Sequence, residues 1–221
     1  MNFKRISQLV VLWAGLSVGA VLLGSGAGCA HPDSYADFFI AVRNDNVNVV
    51  RDLLQRGFDP NTRNPAGQSG LIVAFQEDSP KAAKLLLNQP NIELDARNTA
   101  GESALMFAAI KGNLTGIEAL LARGARVNQP GWSALHYAAT GPQVRAVKVL
   151  LDRGADINAT APNGSTPLML AAQYGPEASV DLLLDRGADR TLRNANNMQA
   201  ADFARLAGRD DMVRQLERTG R

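Results

Sequence analysis

The sequence predicts an all-α repeat solenoid that follows an N-terminal signal peptide. Arg-Gly-Ala recurs three times, at Arg123-Gly124-Ala125, Arg153-Gly154-Ala155 and Arg186-Gly187-Ala188. The glycines of these tripeptides are 30 and 33 residues apart, and Gly57 of a diverged Arg-Gly-Phe lies 67 residues before Gly124. A period of about 33 residues indicates one supersecondary unit copied along the chain, so we expect a stack of units and not a globule around one core.

The first thirty residues have the order of a secretory signal peptide. Lys4 and Arg5 give a short basic start, and the apolar run from Leu9 to Leu23 contains no charged residue. Small residues follow in the segment 24–30. Because the apolar run is shorter than the ~20 residues that a spanning helix needs, we interpret residues 1–30 as a signal peptide and not as a membrane anchor.

Two processing sites fit the small residues. Gly28 and Ala30 suit the −3 and −1 positions of an ordinary signal peptidase site, which would release a periplasmic protein beginning at His31. Alternatively, the segment 26–29 resembles a bacterial lipobox, in which Cys29 would be acylated and would tether an outer-membrane lipoprotein facing the periplasm. Gly26 stands where a lipobox usually has Leu, so we favour the soluble periplasmic form.

Composition and charge exclude several classes of function. All 21 acidic residues lie after residue 30, and removing Lys4 and Arg5 from the 23 basic residues leaves 21. A neutral chain without a basic stripe has no electrostatic footprint for nucleic acid. Cys29 is the only cysteine, so residues 31–221 can form neither a disulfide nor a thiolate metal site. We expect no metal and no cofactor, because no His, Asp and Glu cluster has ligand spacing.

A first helix is predicted after each of four glycines, Gly67, Gly101, Gly131 and Gly164. Each glycine is followed two residues later by Ser or Thr and four residues later by Leu. The hydroxyl residues are preferred helix N-caps, and Pro167 suits a first helical turn. Three of these segments continue into a pair of alanines, Ala108-Ala109, Ala138-Ala139 and Ala171-Ala172. Such small side chains allow neighbouring helices to approach closely.

A second helix is predicted from apolar residues at helical spacing. The stripes are Val47, Val50, Leu53 and Leu54, then Leu114, Ile117, Leu120 and Leu121, then Val144, Val147, Leu150 and Leu151. We expect Leu121 and Leu151 to be equivalent buried positions. The glycines that follow these helices suit the left-handed C′ position, and a short extended segment such as 155–158 then leads to the next turn. Recurrent Asp and Asn residues there favour turn chemistry over calcium binding.

These motifs together resemble ankyrin repeats over residues 36–221. Residues 133–139 (Ser-Ala-Leu-His-Tyr-Ala-Ala) and 166–172 (Thr-Pro-Leu-Met-Leu-Ala-Ala) are similar to the family's Thr-Pro-Leu-His-Leu-Ala-Ala. The resemblance implies helix-turn-helix units, each with a β-hairpin finger, in a repeat domain over 31–221. We predict about six units, at about 34–64, 65–98, 99–129, 130–160, 161–194 and 195–221.

The departures from the repeat are specific. Leu135 lies 7 residues after Asn128, whereas Leu168 lies 10 after Asn158, so the finger that enters the fourth unit is three residues shorter. Arg205 replaces the small residue that Ala172 provides in the unit before. We interpret the first and last units as caps, because end units must present a polar outer face.

Catalysis is not expected. Ser133 and His136 could be a nucleophile and base on one helical turn, but Met106 and Met169 occupy the position of His136 in other units. An apolar residue cannot replace a base, and the pattern places no further acid or base to complete a site. The family resemblance implies instead that this Ser-x-x-His pair joins neighbouring units through hydrogen bonds.

The resemblance implies a binding groove lined by finger tips and first helices. Gln68, Glu102, Trp132 and Ser165 follow the turn glycines, and Gln76, Glu77, Ile110, Lys111, Gln173 and Tyr174 end the first helices. From these we select the candidate partner-binding residues Glu102, Ile110, Lys111, Trp132, Gln173 and Tyr174. Aromatic anchors dominate interface energetics, so Trp132 and Tyr174 matter most. Trp132 has a second interpretation, in which it packs over the gap left by the shortened finger.

The sequence therefore predicts a monomeric, non-catalytic protein-binding adaptor in a bacterial periplasm. One alternative is an immunity or inhibitor protein that neutralises a secreted toxin or enzyme. Another is a chaperone-like protector of a periplasmic enzyme such as a catalase. The scaffold itself does not encode the identity of the partner.

Overall fold

The computed structural model describes residues 34–218, which form twelve α-helices in six consecutive pairs. The helices are α1 (Ser34–Arg43), α2 (Val47–Gln55), α3 (Gly70–Glu77), α4 (Pro80–Leu87), α5 (Ala104–Lys111), α6 (Leu114–Ala122), α7 (Ala134–Thr140), α8 (Val144–Asp152), α9 (Pro167–Tyr174), α10 (Glu177–Asp185), α11 (Ala200–Leu206) and α12 (Asp210–Glu217). The signal peptide, both processing sites and Cys29 lie outside the described residues. Among those described, no helix has the length and apolarity to cross a membrane.

First helices pack on first helices and second helices on second helices of the next unit, which confirms the predicted all-α repeat solenoid. One helix pair lies within each of the six spans proposed from the sequence. Each unit contacts its neighbours, so the hydrophobic core runs continuously along the stack.

The first helices begin at the hydroxyl residues that the sequence indicated. Ser103 Oγ accepts from the backbone N–H of Met106 at 3.4 Å, and Thr166 Oγ1 accepts from that of Met169 at 3.4 Å. The methionine sulfurs accept in return from the backbone N–H groups of Ser103 and Thr166, each at 3.4 Å. These reciprocal bonds satisfy donors that a helix N-terminus otherwise leaves unpaired.

In α6 and α8 the first of the paired leucines lies in the core. Leu120 and Leu150 are fully buried. Leu121 and Leu151, which the sequence analysis expected to be buried, are only half-buried at the margin of the core. The helical stripe was correct, but its centre lies one residue earlier.

The glycines after the second helices adopt the predicted left-handed conformation. Gly57, Gly124, Gly154 and Gly187 have φ of 90°, 97°, 83° and 89°. A Cβ at any of them would meet nothing within 4 Å, so backbone conformation and not crowding is what favours glycine there.

The predicted hairpin fingers are short. In residues 34–218 they form isolated antiparallel bridges, Arg63 with Ser69 and Arg97 with Ser103, and no strand. In three of the turns an Asn side chain, of Asn64, Asn98 or Asn194, accepts two backbone N–H groups. Asn98 Oδ1 accepts from the backbone N–H groups of Ala100 and Glu102 at 3.0 and 2.8 Å. Such side-chain bonds are expected of Asn in a tight turn. The fingers are correspondingly short, with few residues that could pair as strands.

Backbone hydrogen bonds join neighbouring finger tips at both ends of the array. Thr99 N–H donates to Ala66 O at 3.0 Å, and Ala195 N–H donates to Asn163 O at 2.9 Å. The fourth finger, which is three residues shorter, makes no equivalent bond within the described residues. Side chains join it to the third finger instead, since Gln129 Nε2 donates to Asp95 Oδ1 at 2.9 Å.

The sixth unit has a polar outer end. Arg205 Nη1 lies 2.6 Å from Asp202 Oδ1, and Arg205 Nη2 lies 2.6 Å from Glu217 Oε1. Arg209 Nη1 reaches back to the carbonyl oxygens of Ala172 and Gly175 at 3.0 and 2.8 Å, which caps α9. These contacts agree with a terminal cap.

Candidate protein-binding surface

The residues after the turn glycines are tied to their own fingers. Gln68 Oε1 accepts from Asn64 Nδ2 at 2.8 Å, and Gln68 Nε2 donates to Gln76 Oε1. In the next unit Glu102 Oε2 accepts from Asn98 Nδ2 at 2.8 Å. Side chains at this position therefore stabilise the finger, whatever they contribute to a partner.

The second oxygen of Glu102 is also occupied. Tyr137 donates its phenolic hydrogen to Glu102 Oε1 at 3.0 Å, which joins the fourth unit to the third. Burial, and then the adjacent Glu102 carboxylate, raise the pKa of Tyr137 well above its usual value. Tyr137 was not predicted to have a role, although it carries a hydroxyl at a position where other units have Val73, Phe107 and Leu170.

Trp132 is half-buried and packs against the core. Its ring centroid lies 5.4 Å from that of His136, with the rings at 76° in an edge-to-face arrangement. The position lies on the shortened fourth finger, so both interpretations of Trp132 from the sequence remain predictions. A half-buried Trp can pack over a gap and still offer one edge to a partner.

His136 is fully buried, and neighbouring groups fix its tautomer. Nδ1 lies 3.2 Å from the backbone N–H of Ser133, which can only donate, and Nε2 lies 3.0 Å from Ser165 O, which can only accept. The imidazole is therefore neutral and carries its hydrogen on Nε2. Burial lowers its pKa to about 4. Nε2 joins the fourth unit to the fifth, as the resemblance implied, while Nδ1 caps the N-terminus of its own helix.

Ser165 was expected on the binding surface, and that expectation is wrong. The residue is fully buried, and its backbone carbonyl accepts a hydrogen bond from His136. Its Oγ is also buried and has no hydrogen-bond partner among residues 34–218. The residue directly after a turn glycine is thus partly exposed where its side chain is long, as in Gln68, Glu102 and Trp132, and buried where it is short, as in Ser165.

Exposed side chains lie at the C-terminal ends of the first helices. Lys111 and Tyr174 are exposed, whereas Ile110 and Gln173 are half-buried. Leu206 at the end of α11 is 67% exposed and occupies the position of Ile110 and Gln173 in the sixth unit. Leu206 was not among the predicted surface residues, because the last unit was interpreted only as a cap. Comparison of the units at this position could have identified it.

No group of three or more His, Cys, Asp and Glu side chains is arranged to hold a metal ion in residues 34–218. The carboxylates of the fingers bind backbone N–H groups instead. Asp156 Oδ1 accepts from the N–H of Asn158 at 3.0 Å, and Asp189 Oδ1 accepts from that of Thr191 at 2.8 Å. The surface can therefore offer apolar contacts, hydrogen bonds and a cation at Lys111.

Comparison with known proteins gives a family match over most of the chain. A family model described as "Ankyrin repeats (3 copies)" matches residues 38–130, 71–161 and 125–194.

Two relatives have similar sequences. Transient receptor potential cation channel subfamily A member 1 of Homo sapiens is 28% identical over 159 residues, which cover 67% of this chain and 14% of that protein. A putative ankyrin repeat-containing protein of Treponema pallidum (strain Nichols) is 28% identical over 176 residues, covering 80% of this chain and 49% of the other. The chain thus spans half the length of these relatives or less.

Two solved structures share the fold. One is the predatory endopeptidase Bd0816 from Bdellovibrio bacteriovorus in complex with immunity protein Bd3460, with a TM-score of 0.72 and 27% identity over 83% of this chain and 98% of the matched chain. The other is an ankyrin repeat domain from Acinetobacter baumannii AYE, with a TM-score of 0.69 and 26% identity over 83% of this chain and 97% of the other.

Proposed function

This chain belongs to the ankyrin-repeat family, and on that basis we propose that it is a non-catalytic adaptor that binds another protein in the bacterial periplasm. The family is generally one of protein-interaction domains, and the buried, neutral His136 has both nitrogens engaged by the scaffold. The proposal concerns binding alone, with no reaction at the surface.

The observation that carries the proposal is the row of side chains at the ends of the first helices. Lys111, Tyr174 and Leu206 are exposed there, while the remaining positions of these helices are largely buried. A scaffold that keeps its core positions constant and varies one exposed row is suited to recognition. Large exposed apolar side chains in such a row are typical of interface anchors.

Glu102 and Tyr174 are expected to contribute differently to the binding of a partner. Glu102 already accepts hydrogen bonds at both carboxylate oxygens, so it supports the finger and contributes to a partner mainly through charge. Within residues 34–218 the Tyr174 hydroxyl makes no such hydrogen bond, and desolvation raises its pKa. We therefore place Tyr174 and Lys111 at the centre of the surface, with Ile110 and Gln173 beside them.

The location in the periplasm rests on the basic, apolar and small-residue order of residues 1–30. The intact mass of the protein from soluble periplasm and from membranes tests it. A start at His31 supports the soluble form, and a diacylated Cys29 supports the lipoprotein. A full-length chain confined to the cytosol would remove the compartment from the proposal without affecting protein binding.

A second candidate is an immunity or inhibitor protein that neutralises a secreted toxin or enzyme. The likeness to the endopeptidase–immunity protein complex supports it, because the match covers 98% of the chain compared. This role requires tight one-to-one binding and loss of the target's activity on binding. A protective role towards an enzyme instead requires that the enzyme's activity falls when this protein is removed.

Affinity capture from periplasmic extract, followed by mass spectrometry, identifies the partner. The matched baits are the unchanged protein, Lys111→Glu and Tyr174→Ser. Lys84→Glu is the control, because Lys84 is an exposed residue of a second helix, away from the proposed surface. A partner of the proposed surface is retained by the unchanged protein and by Lys84→Glu, and is lost from the other two. Equal retention by all four baits contradicts the placement of the surface, and turnover of the captured protein by this chain contradicts a non-catalytic role.

A further inference from the structure

The negative charge of Glu102 is not needed to hold its own finger. In the second unit Gln68, the equivalent of Glu102, accepts from Asn64 Nδ2 at 2.8 Å through a neutral amide oxygen. Glu102 Oε2 accepts from Asn98 Nδ2 at the same distance, 2.8 Å. Because an amide oxygen and a carboxylate oxygen both accept this hydrogen bond, the finger of the third unit does not require a charge at this position.

No basic side chain pairs with Glu102 within residues 34–218. The ion pairs in this part of the chain do not include Glu102. Arg97, the basic residue of the same finger, donates instead to Gln129 Oε1 at 2.7 Å and to Gly101 O at 3.2 Å. Glu102 is half-buried, and a partly desolvated carboxylate gains more from a nearby cation than a carboxylate in bulk water does.

Tyr137 holds this carboxylate in a fixed position. Its hydroxyl, on α7 of the next unit, donates to Glu102 Oε1 at 3.0 Å. The residues at this position in other units carry no hydroxyl, and they are Val73, Phe107, Leu170 and Phe203. Each oxygen of Glu102 thus accepts one hydrogen bond and keeps a lone pair for a further donor. A side chain that is already oriented loses little more conformational freedom when a partner binds.

An aromatic side chain occupies the same position of the next finger. Trp132 and Glu102 each directly follow the turn glycine of their unit. Trp132 is half-buried, and its ring centroid lies 5.4 Å from that of His136, the residue before Tyr137 in α7. Glu102 and Trp132 therefore contact consecutive residues of α7, one from the third finger and one from the fourth. This arrangement places a carboxylate and an aromatic ring at neighbouring points of the groove.

We propose that Glu102 and Trp132 form a recognition site for an arginine side chain of the bound protein. The guanidinium group donates to the remaining lone pairs of the Glu102 carboxylate and lies against the exposed part of the Trp132 ring. Arginine fits better than lysine, because a planar guanidinium group can donate through two N–H groups to one carboxylate and also stack on an aromatic ring. The inference rests on the proposed function, since it names a group that the partner must present.

The surrounding charges favour a single arginine over a polybasic segment. Lys111 ends the helix α5 that begins two residues after Glu102, so it lies ~12 Å along the helix from that end of the groove. Arg97 lies in the same finger as Glu102. Further basic residues of the partner would be repelled by these two cations, whereas an acidic residue near the arginine could pair with Lys111. We therefore expect one arginine with neutral or acidic neighbours.

A library of random dodecapeptides displayed on phage tests the site before the partner is known. The baits are the unchanged protein and Glu102→Gln, which keeps an amide oxygen for Asn98 as Gln68 does for Asn64. Peptides selected by the unchanged protein should be enriched in arginine at one position, and selection on Glu102→Gln should lose that enrichment. A selection without arginine enrichment, or one of acidic peptides that require only Lys111, overturns the proposal.

Synthetic peptides from this selection then test the direct pair. Citrulline in place of the selected arginine keeps the shape but removes the charge, and it should weaken binding to the unchanged protein by about tenfold. Glu102→Gln should weaken binding of the arginine peptide by a similar factor. Citrulline should cause no further loss on Glu102→Gln, because both changes remove the same interaction. Two losses that multiply overturn the proposal, and thermal melts verify that the variant is folded.

Trp132 provides a second measurement. In a Trp13→Phe background Trp132 is the only tryptophan, whether or not residues 1–30 are removed. Saturation with the arginine peptide should change its fluorescence emission, and the control Lys84→Glu should bind this peptide with unchanged affinity. Unchanged emission at saturation overturns the contact with Trp132. Peptides that bind through Lys111 and Tyr174 but independently of Glu102 would exclude the arginine site and leave the protein-binding function intact.

Discussion

His136 in the fourth unit donates a hydrogen bond from Nε2 to the carbonyl oxygen of Ser165 in the fifth, at 3.0 Å. Nδ1 accepts from the backbone N–H of Ser133 at 3.2 Å. In the other units, Met106 and Met169 accept the equivalent N–H through sulfur but have no hydrogen to donate onwards. His136 therefore caps the helix N-terminus as methionine does in those units. In addition, it makes a hydrogen bond to the next unit.

The first prediction is a loss of stability in acid that depends on His136. Its folded pKa of about 4 is below the ordinary 6.5, so the unfolded chain binds the proton first. The contribution is fully present above pH 6.5 and is lost as the pH falls from there towards 4. We expect the free energy of unfolding to drop by about 2 kcal/mol between pH 8 and pH 5 through this group.

His136→Met supplies the control for that prediction. The sulfur should replace Nδ1 as it does in two other units, and the loss of the bond to Ser165 should cost about 1 kcal/mol at pH 8. Urea unfolding at pH 8 and pH 5 measures both effects. If the variant loses as much stability in acid as the unchanged protein, His136 is not the responsible group and the carboxylates are.

The second prediction separates the paired leucines of the second helices. Leu150→Ala should destabilise the protein by ~2–5 kcal/mol, because the side chain is fully buried and its loss leaves a cavity. Leu151→Ala should cost clearly less, since that side chain is half-buried and the surroundings can be filled by solvent. Chemical denaturation of the two variants compares them directly. Equal losses would place the centre of the buried stripe between them.

Features that recur in every unit could be predicted from the sequence, whereas contacts particular to one junction could not. Repeat spacing predicted the helix pairs, the capping hydroxyls and the C′ glycines, because each depends on local chemistry that recurs in every unit. Leu120 and Leu121 cannot be distinguished by periodicity alone, since a helical stripe is broad enough to include both. The roles of Tyr137 and Ser165 depend on contacts between particular units, and repeat spacing does not predict these contacts. Only the structure shows that Tyr137 donates to Glu102 and that Ser165 is buried.

The third prediction concerns Ser179 in α10, which is fully buried and whose Oγ has no hydrogen-bond partner in the part of the chain that the structure describes. Other units have Ala82, Gly116 or Ala146 at this position. Ser179→Ala should leave stability unchanged or raise it by up to about 1 kcal/mol, because it removes an unsatisfied hydroxyl without removing volume from the core. A thermal melt measures this change. A decrease of more than 1 kcal/mol would show that the hydroxyl is bonded in solution, for example to a buried water.

The fourth prediction decides between the two roles of Trp132. If its exposed edge is an interface anchor, Trp132→Ala should weaken binding of the captured partner by ~2 kcal/mol or more with little change in melting temperature. If the ring packs over the shortened finger and His136, the melting temperature should fall and affinity should change only in proportion to unfolding. Trp132→Phe is the matched control, because it keeps an aromatic ring against His136 and removes the outer part of the indole. Calorimetric binding and a thermal melt on both variants give the two quantities independently. An unchanged affinity together with an unchanged melting temperature would exclude Trp132 from both roles and leave Lys111 and Tyr174 as the centre of the surface.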